Sequence, residues 1–95
     1  MVEKSEVVEA LKKVNDPELH MDIWNLELVY NIDINEDIVN ITMTFTSPGC
    51  PYGPVLVEDV KKKLSEIGGV KEVNVAITFE PLWEPSEDLR AMLGV

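Results

Sequence analysis

Apolar side chains recur along this chain at two spacings, and the change from one to the other divides it into elements. From Ser5 to Val14, the apolar positions Val7, Val8, Leu11 and Val14 fall on one helical face, opposite Glu3, Glu6, Glu9, Lys12 and Lys13. This predicts an amphipathic first helix. Asn15-Asp16-Pro17 ends it, because a residue before proline is pushed out of the α region and Pro17 has no N–H to continue the ladder. The stretch from Asp16 to Asn25 then turns the chain around. From Leu26 the period falls to two: Leu26, Leu28, Tyr30, Ile32 and Ile34 alternate with Glu27, Val29, Asn31 and Asp33, the pattern of a strand with one buried face.

Asn35-Glu36-Asp37 reads as a short polar turn, and a second strand follows with Val39, Ile41, Met43 and Phe45 on one side and Asn40, Thr42, Thr44 and Thr46 on the other. The two strands form an antiparallel hairpin. Helical spacing returns between Val55 and Ile67, with Leu56, Val60, Leu64 and Ile67 in register, a proline (Pro51 or Pro54) suited to the first turn and Gly68-Gly69 to the end. A third strand runs from Val70 to Phe79, with Val73, Val75, Ile77 and Phe79 inward. The crossover helix sets its direction parallel to strand two; periodicity leaves open whether it neighbours strand one or strand two. Two prolines make the tail from Glu80 to Pro85 irregular, with Trp83 as a lid over the core, and Ser86 is placed to cap a last short helix reaching Leu93. The expected fold class is α+β: a two-layer sandwich, α-β-β-α-β with a short C-terminal helix, its helices on one face of a three-stranded mixed sheet.

Ninety-five residues, 45% of them hydrophobic, suit a single domain spanning 1–95. Eighteen acidic residues against eight basic ones give a formal charge of −10, and such a surface repels phosphate backbones and anionic lipid. No nucleic-acid or membrane partner is expected; the Lys61-Lys62-Lys63 run reads as the solvated face of helix two. A lone cysteine excludes an internal disulfide and suits a reducing compartment, and no apolar run approaches the roughly 20 residues of a membrane span, so a cytoplasmic location is expected.

That cysteine, Cys50, is the first candidate for chemistry. It lies in Thr46-Ser47-Pro48-Gly49-Cys50-Pro51-Tyr52-Gly53-Pro54, between strand two and helix two. Unpaired N–H groups at a helix start lower a thiol's pKa, and a loop preset by glycine and proline is where a reactive or metal-binding cysteine is useful. Buried as a small hydrophobe, the same cysteine would be inert. Asp16 and Glu18 are the second candidates. Local turn and helix-start chemistry accounts for both, but near Cys50 they would ligate a metal or accept the thiol's proton, and His20 would add an imidazole. Thr46 is placed to hydrogen-bond the sulfur, to cap the loop, or, as a strand-end threonine, to do neither. A cysteine enzyme needs a base and a group to orient it, and with His20 the only imidazole and little chain for a deep pocket, the reading is not an enzyme.

The motifs Asp16-Pro17-Glu18-Leu19, Asp22-Ile23, Leu26 to Tyr30, Thr46-Ser47-Pro48-Gly49-Cys50-Pro51, Gly69-Val70-Lys71-Glu72-Val73 and Pro81-Leu82-Trp83 together resemble, over nearly the whole chain, the MIP18 family, formerly the domain of unknown function 59. That family includes SufT-like and PaaD-like proteins. The resemblance implies a small α/β domain acting in iron–sulfur protein maturation. Cys50 takes the reactive-cysteine position, Asp16 and Glu18 the acidic pair, and Thr46 the preceding threonine. Cys50, Asp16, Glu18 and His20 form the candidate metal set. Members commonly carry glycine where this chain has His20 and Glu27, so a different bend of the loop is expected. Clusters usually take about four thiolates, and one chain supplies one. Either two chains of a homodimer each donate Cys50, or the chain meets a transient cluster or iron within a larger complex with iron–sulfur client proteins and cluster-carrier proteins. The alternative is a non-metal adaptor that docks clients or a cluster-carrier ATPase.

Overall fold

A computed structural model describes residues 2–17, 19–46, 52–80, 83–84 and 86–93. The elements are α1 (Lys4–Leu11), β1 (Val29–Asn35), β2 (Ile38–Met43), α2 (Gly53–Ser65), β3 (Glu72–Ile77) and α3 (Glu87–Leu93). The sheet order is β1-β2-β3, with β1 antiparallel and β3 parallel to β2. Strand three therefore neighbours strand two, the point the periodicity left open. A thirteen-residue helix carries the chain back over the sheet, as a parallel pair requires.

Register lines the apolar positions into rows. Ile34, Val39 and Val73 lie side by side, as do Ile32, Ile41 and Val75. Val39, Ile41 and Met43 of the central strand are essentially inaccessible, whereas the edge-strand members of each row are half-buried. Val7, Ala10 and Leu11 of α1, Leu56, Val60 and Leu64 of α2, and Val14, Ile23, Leu26 and Leu28 of the segment between α1 and β1 pack with them in the core. Full burial of each large aliphatic side chain contributes about 1.5–3 kcal/mol.

The first strand begins later than alternation predicts. Leu26 and Leu28 are fully buried, but residues 23–27 form turns, and Glu27 has a φ of 61°, which no strand accommodates. Val29 pairs with Met43 and Asn31 with Thr42, so Tyr30 is an extra residue, a β-bulge. The bulge shifts parity by one, and Val29 lies on the same face as Met43 although the pattern assigns it outward.

Thr44 departs as well: expected on the polar face, it is completely buried. Its N–H bonds the Leu28 carbonyl at 2.9 Å, and the chain after β3 returns to this end of the sheet, where the Thr78 N–H bonds the Met43 carbonyl at 2.9 Å. Trp83 closes the same end, donating its indole N–H to the Leu26 carbonyl at 2.6 Å. Both helix boundaries shift: α1 stops at Leu11 while Val14 remains buried beyond it, and α2 starts at Gly53 rather than Val55. Ser86 caps α3, its hydroxyl accepting the Leu89 N–H at 3.2 Å.

Candidate functional site

The Asp16 turn is built by the way α1 ends. The N–H groups of Lys13 and Val14 bond the carbonyls three residues back, at 3.0 and 3.1 Å, which tightens the last turn before Pro17 forbids more helix. The chain then closes on itself: Asp16 N–H to Met21 carbonyl at 2.8 Å, His20 N–H to Asp16 carbonyl at 2.9 Å, and Ile23 N–H to Val14 carbonyl at 2.9 Å. Inside this loop the Asp16 side chain is 1% exposed and accepts the Leu19 N–H at 3.1 Å. Burying a polar group without a hydrogen bond costs free energy, and the turn supplies a donor.

His20 and Glu27 stand at φ 57° and 61°, the left-handed region that favours glycine. Both side chains are exposed. The chain therefore keeps at both positions a backbone that glycine would adopt most easily, and the non-glycine side chains are accommodated as local strain. Between them, Asp22 orders the next turn, accepting from the Asn25 N–H at 2.9 Å and the Asn25 side-chain amide at 2.8 Å.

On the other side, β2 leads to Thr46, whose hydroxyl oxygen is buried and has no hydrogen-bond partner among the described residues. Just before it, the Phe45 ring lies against the backbone of Gly53, the first residue of α2: a methyl group at Gly53 would fall 2.7 Å from the ring edge. Phe45 also meets Phe79, with ring centroids 6.2 Å apart. Exit from β2 and entry to α2 are thus pressed together, with residues 47–51 between them. The sequence pattern placed Phe45 on the apolar side of strand two and Gly53 in the cysteine loop, but no local signal marks the contact between them.

Asn15 and Pro17 share a groove with Val55 and Leu56, so the Asp16 turn sits beside the first turns of α2. The structure thus brings together the Asp16 turn and the helix that follows the cysteine stretch. Cys50 and Glu18 lie outside the described residues, and with them falls the question of whether the carboxylates approach the sulfur. Among the described residues, no group of three or more His, Cys, Asp or Glu side chains is placed to hold a metal ion. No described helix is long and apolar enough to cross a membrane.

The fold and sequence are shared with known proteins. The Fe-S protein maturation auxiliary factor YitW of Bacillus subtilis is 48% identical over 81 residues, spanning 84% of this chain and 79% of its own. An Fe-S protein maturation auxiliary factor of Porphyromonas gingivalis is 39% identical, spanning 96% and 90%. The structure of a conserved hypothetical protein from Thermotoga maritima superposes with a TM-score of 0.87 at 41% identity, covering 99% of this chain and 96% of that one. The family described as iron–sulfur cluster assembly protein matches residues 4–77. This chain belongs to the iron–sulfur cluster assembly protein family.

Proposed function

We propose that this chain is a non-enzymatic factor in the maturation of iron–sulfur proteins, acting in the cytoplasm as one domain over residues 1–95, with Cys50 as a transient ligand of its cargo during delivery. The cargo is iron or an iron–sulfur cluster. Similarity to relatives named as maturation auxiliary factors, over most of both chains, supports the role. The observation that carries the site is the packing of the Asp16 turn beside the start of α2, because α2 begins three residues after the only thiol of the chain.

In this reading Cys50 supplies the thiolate and the N-terminal end of α2 favours its ionised form. Asp16, Glu18 and His20 stand as oxygen and nitrogen donors for iron, and Thr46 presents its hydroxyl at the start of the cysteine stretch. A cluster usually needs about four thiolates. The cargo is therefore shared, either between two copies of Cys50 in a homodimer or with a client or carrier protein.

The test is anaerobic reconstitution with iron and sulfide, read by visible absorption, iron content and mass in solution. The wild type retains iron; Cys50→Ala loses it. Asp16→Asn, which keeps the acceptor for the Leu19 N–H, retains a reduced amount. In cells, Cys50→Ser abolishes client maturation with the fold intact. Normal maturation by Cys50→Ser would leave docking of clients or of a carrier ATPase, without metal, as the function.

A further inference from the structure

We infer that the groove between the Asn15–Pro17 turn and the first half of α2 docks a segment of a partner protein that presents an apolar side chain flanked by Lys or Arg. The inference rests on the maturation reading, in which this chain meets another protein to pass on its cargo. The groove encloses about 430 Å³, with Asn15 and Pro17 on one wall and Val55, Leu56, Glu58 and Asp59 on the other. That volume falls within the roughly 300–1,000 Å³ of pockets that hold compact ligands. An apolar side chain with its flanking residues fits within it.

Leu56, 2% exposed, forms the floor, while Val55 stands 67% exposed at the rim. Covering Val55 removes exposed apolar surface from water, which favours docking of an apolar side chain there.

Charge selects the occupant. Glu58 and Asp59 line the groove against a single lysine, Lys62, and the whole chain carries −10. A second copy of this chain would bring a further −10 against that wall, and nucleic acid or anionic lipid would be repelled in the same way. A basic protein segment is attracted at a distance and held by the apolar anchor on contact.

The experiment titrates the full chain, labelled with nitrogen-15, with two synthetic nine-residue peptides that share a central Leu-Trp pair, one flanked by lysines and the other by glutamates. The lysine-flanked peptide should shift amide resonances of Asn15, Asp16 and residues 55–62, bind at least tenfold more tightly than its counterpart, and weaken several-fold as salt rises toward 0.3 M. Val55→Asp should weaken it at least fivefold. Glu58→Lys with Asp59→Lys should reverse the preference between the two peptides. Equal affinity for both peptides, shifts scattered over the acidic surface, or binding by neither would overturn the docking site. Cys50→Ala should bind the peptide as the wild type does, so loss of cargo and loss of docking are read separately.

Discussion

Replacing His20 or Glu27 by glycine should make this protein more stable, although both substitutions delete a side chain. His20 and Glu27 hold φ values of 57° and 61°, where a Cβ crowds the following carbonyl at a cost of about 1–2 kcal/mol per residue. Glycine removes that cost but loses more backbone entropy on folding, about 0.5–1 kcal/mol. Both side chains are exposed, so little packing is lost. The midpoints of these ranges leave a gain of about 0.75 kcal/mol at each position. For a domain of this length that raises Tm by roughly 2–8 °C per substitution.

Equilibrium unfolding in guanidinium chloride, followed by far-UV circular dichroism, should show a higher midpoint with an unchanged slope. His20→Ala is the control: alanine keeps the Cβ and hence the strain, and should show no comparable gain. A lower midpoint for His20→Gly would refute the reasoning, since the imidazole would then contribute more than the backbone conformation costs. Glu36, φ 58° in the two-residue turn between β1 and β2, provides a third site away from Asp16, and Glu36→Gly should stabilise by a similar amount.

Two other substitutions probe the supports of the site. Gly53→Ala should destabilise by about 1–3 kcal/mol, because the added methyl falls 2.7 Å from Phe45, and Phe45→Leu in the same chain should recover part of the loss in the same unfolding assay. Trp83→Phe should cost about 1 kcal/mol by leaving the Leu26 carbonyl without its indole donor; an unchanged midpoint would mean that water replaces the bond without loss.

The periods of 3.6 and 2 decide most of the architecture. Val7 and Leu11, then Leu56, Val60 and Leu64, and Val39, Ile41 and Met43 of β2 all lie in the core, with the inward residues of β3 packed half-buried against it, because a side chain's direction from a helix or strand follows directly from its position in the sequence. The antiparallel hairpin and the parallel sense of β3 follow from connection length, and the family follows from the order and spacing of the motifs around Asp16, Thr46 and Cys50.

Tertiary structure decides what depends on atoms distant in sequence. The bulge at Tyr30 reverses the parity of Val29, a one-residue slip that alternation cannot register. Thr44 is interior at the end of the sheet to which the chain returns after β3, closed by a bond from Trp83 to a carbonyl 57 residues earlier. The neighbour of β3 is fixed by which edge of the hairpin α2 can reach. The strain at His20 and Glu27 is absent from their composition, because φ is set by how the turn closes. The groove beside Val55 likewise needs the Asp16 turn and α2 brought side by side, a juxtaposition of residues about 40 positions apart that no local pattern contains.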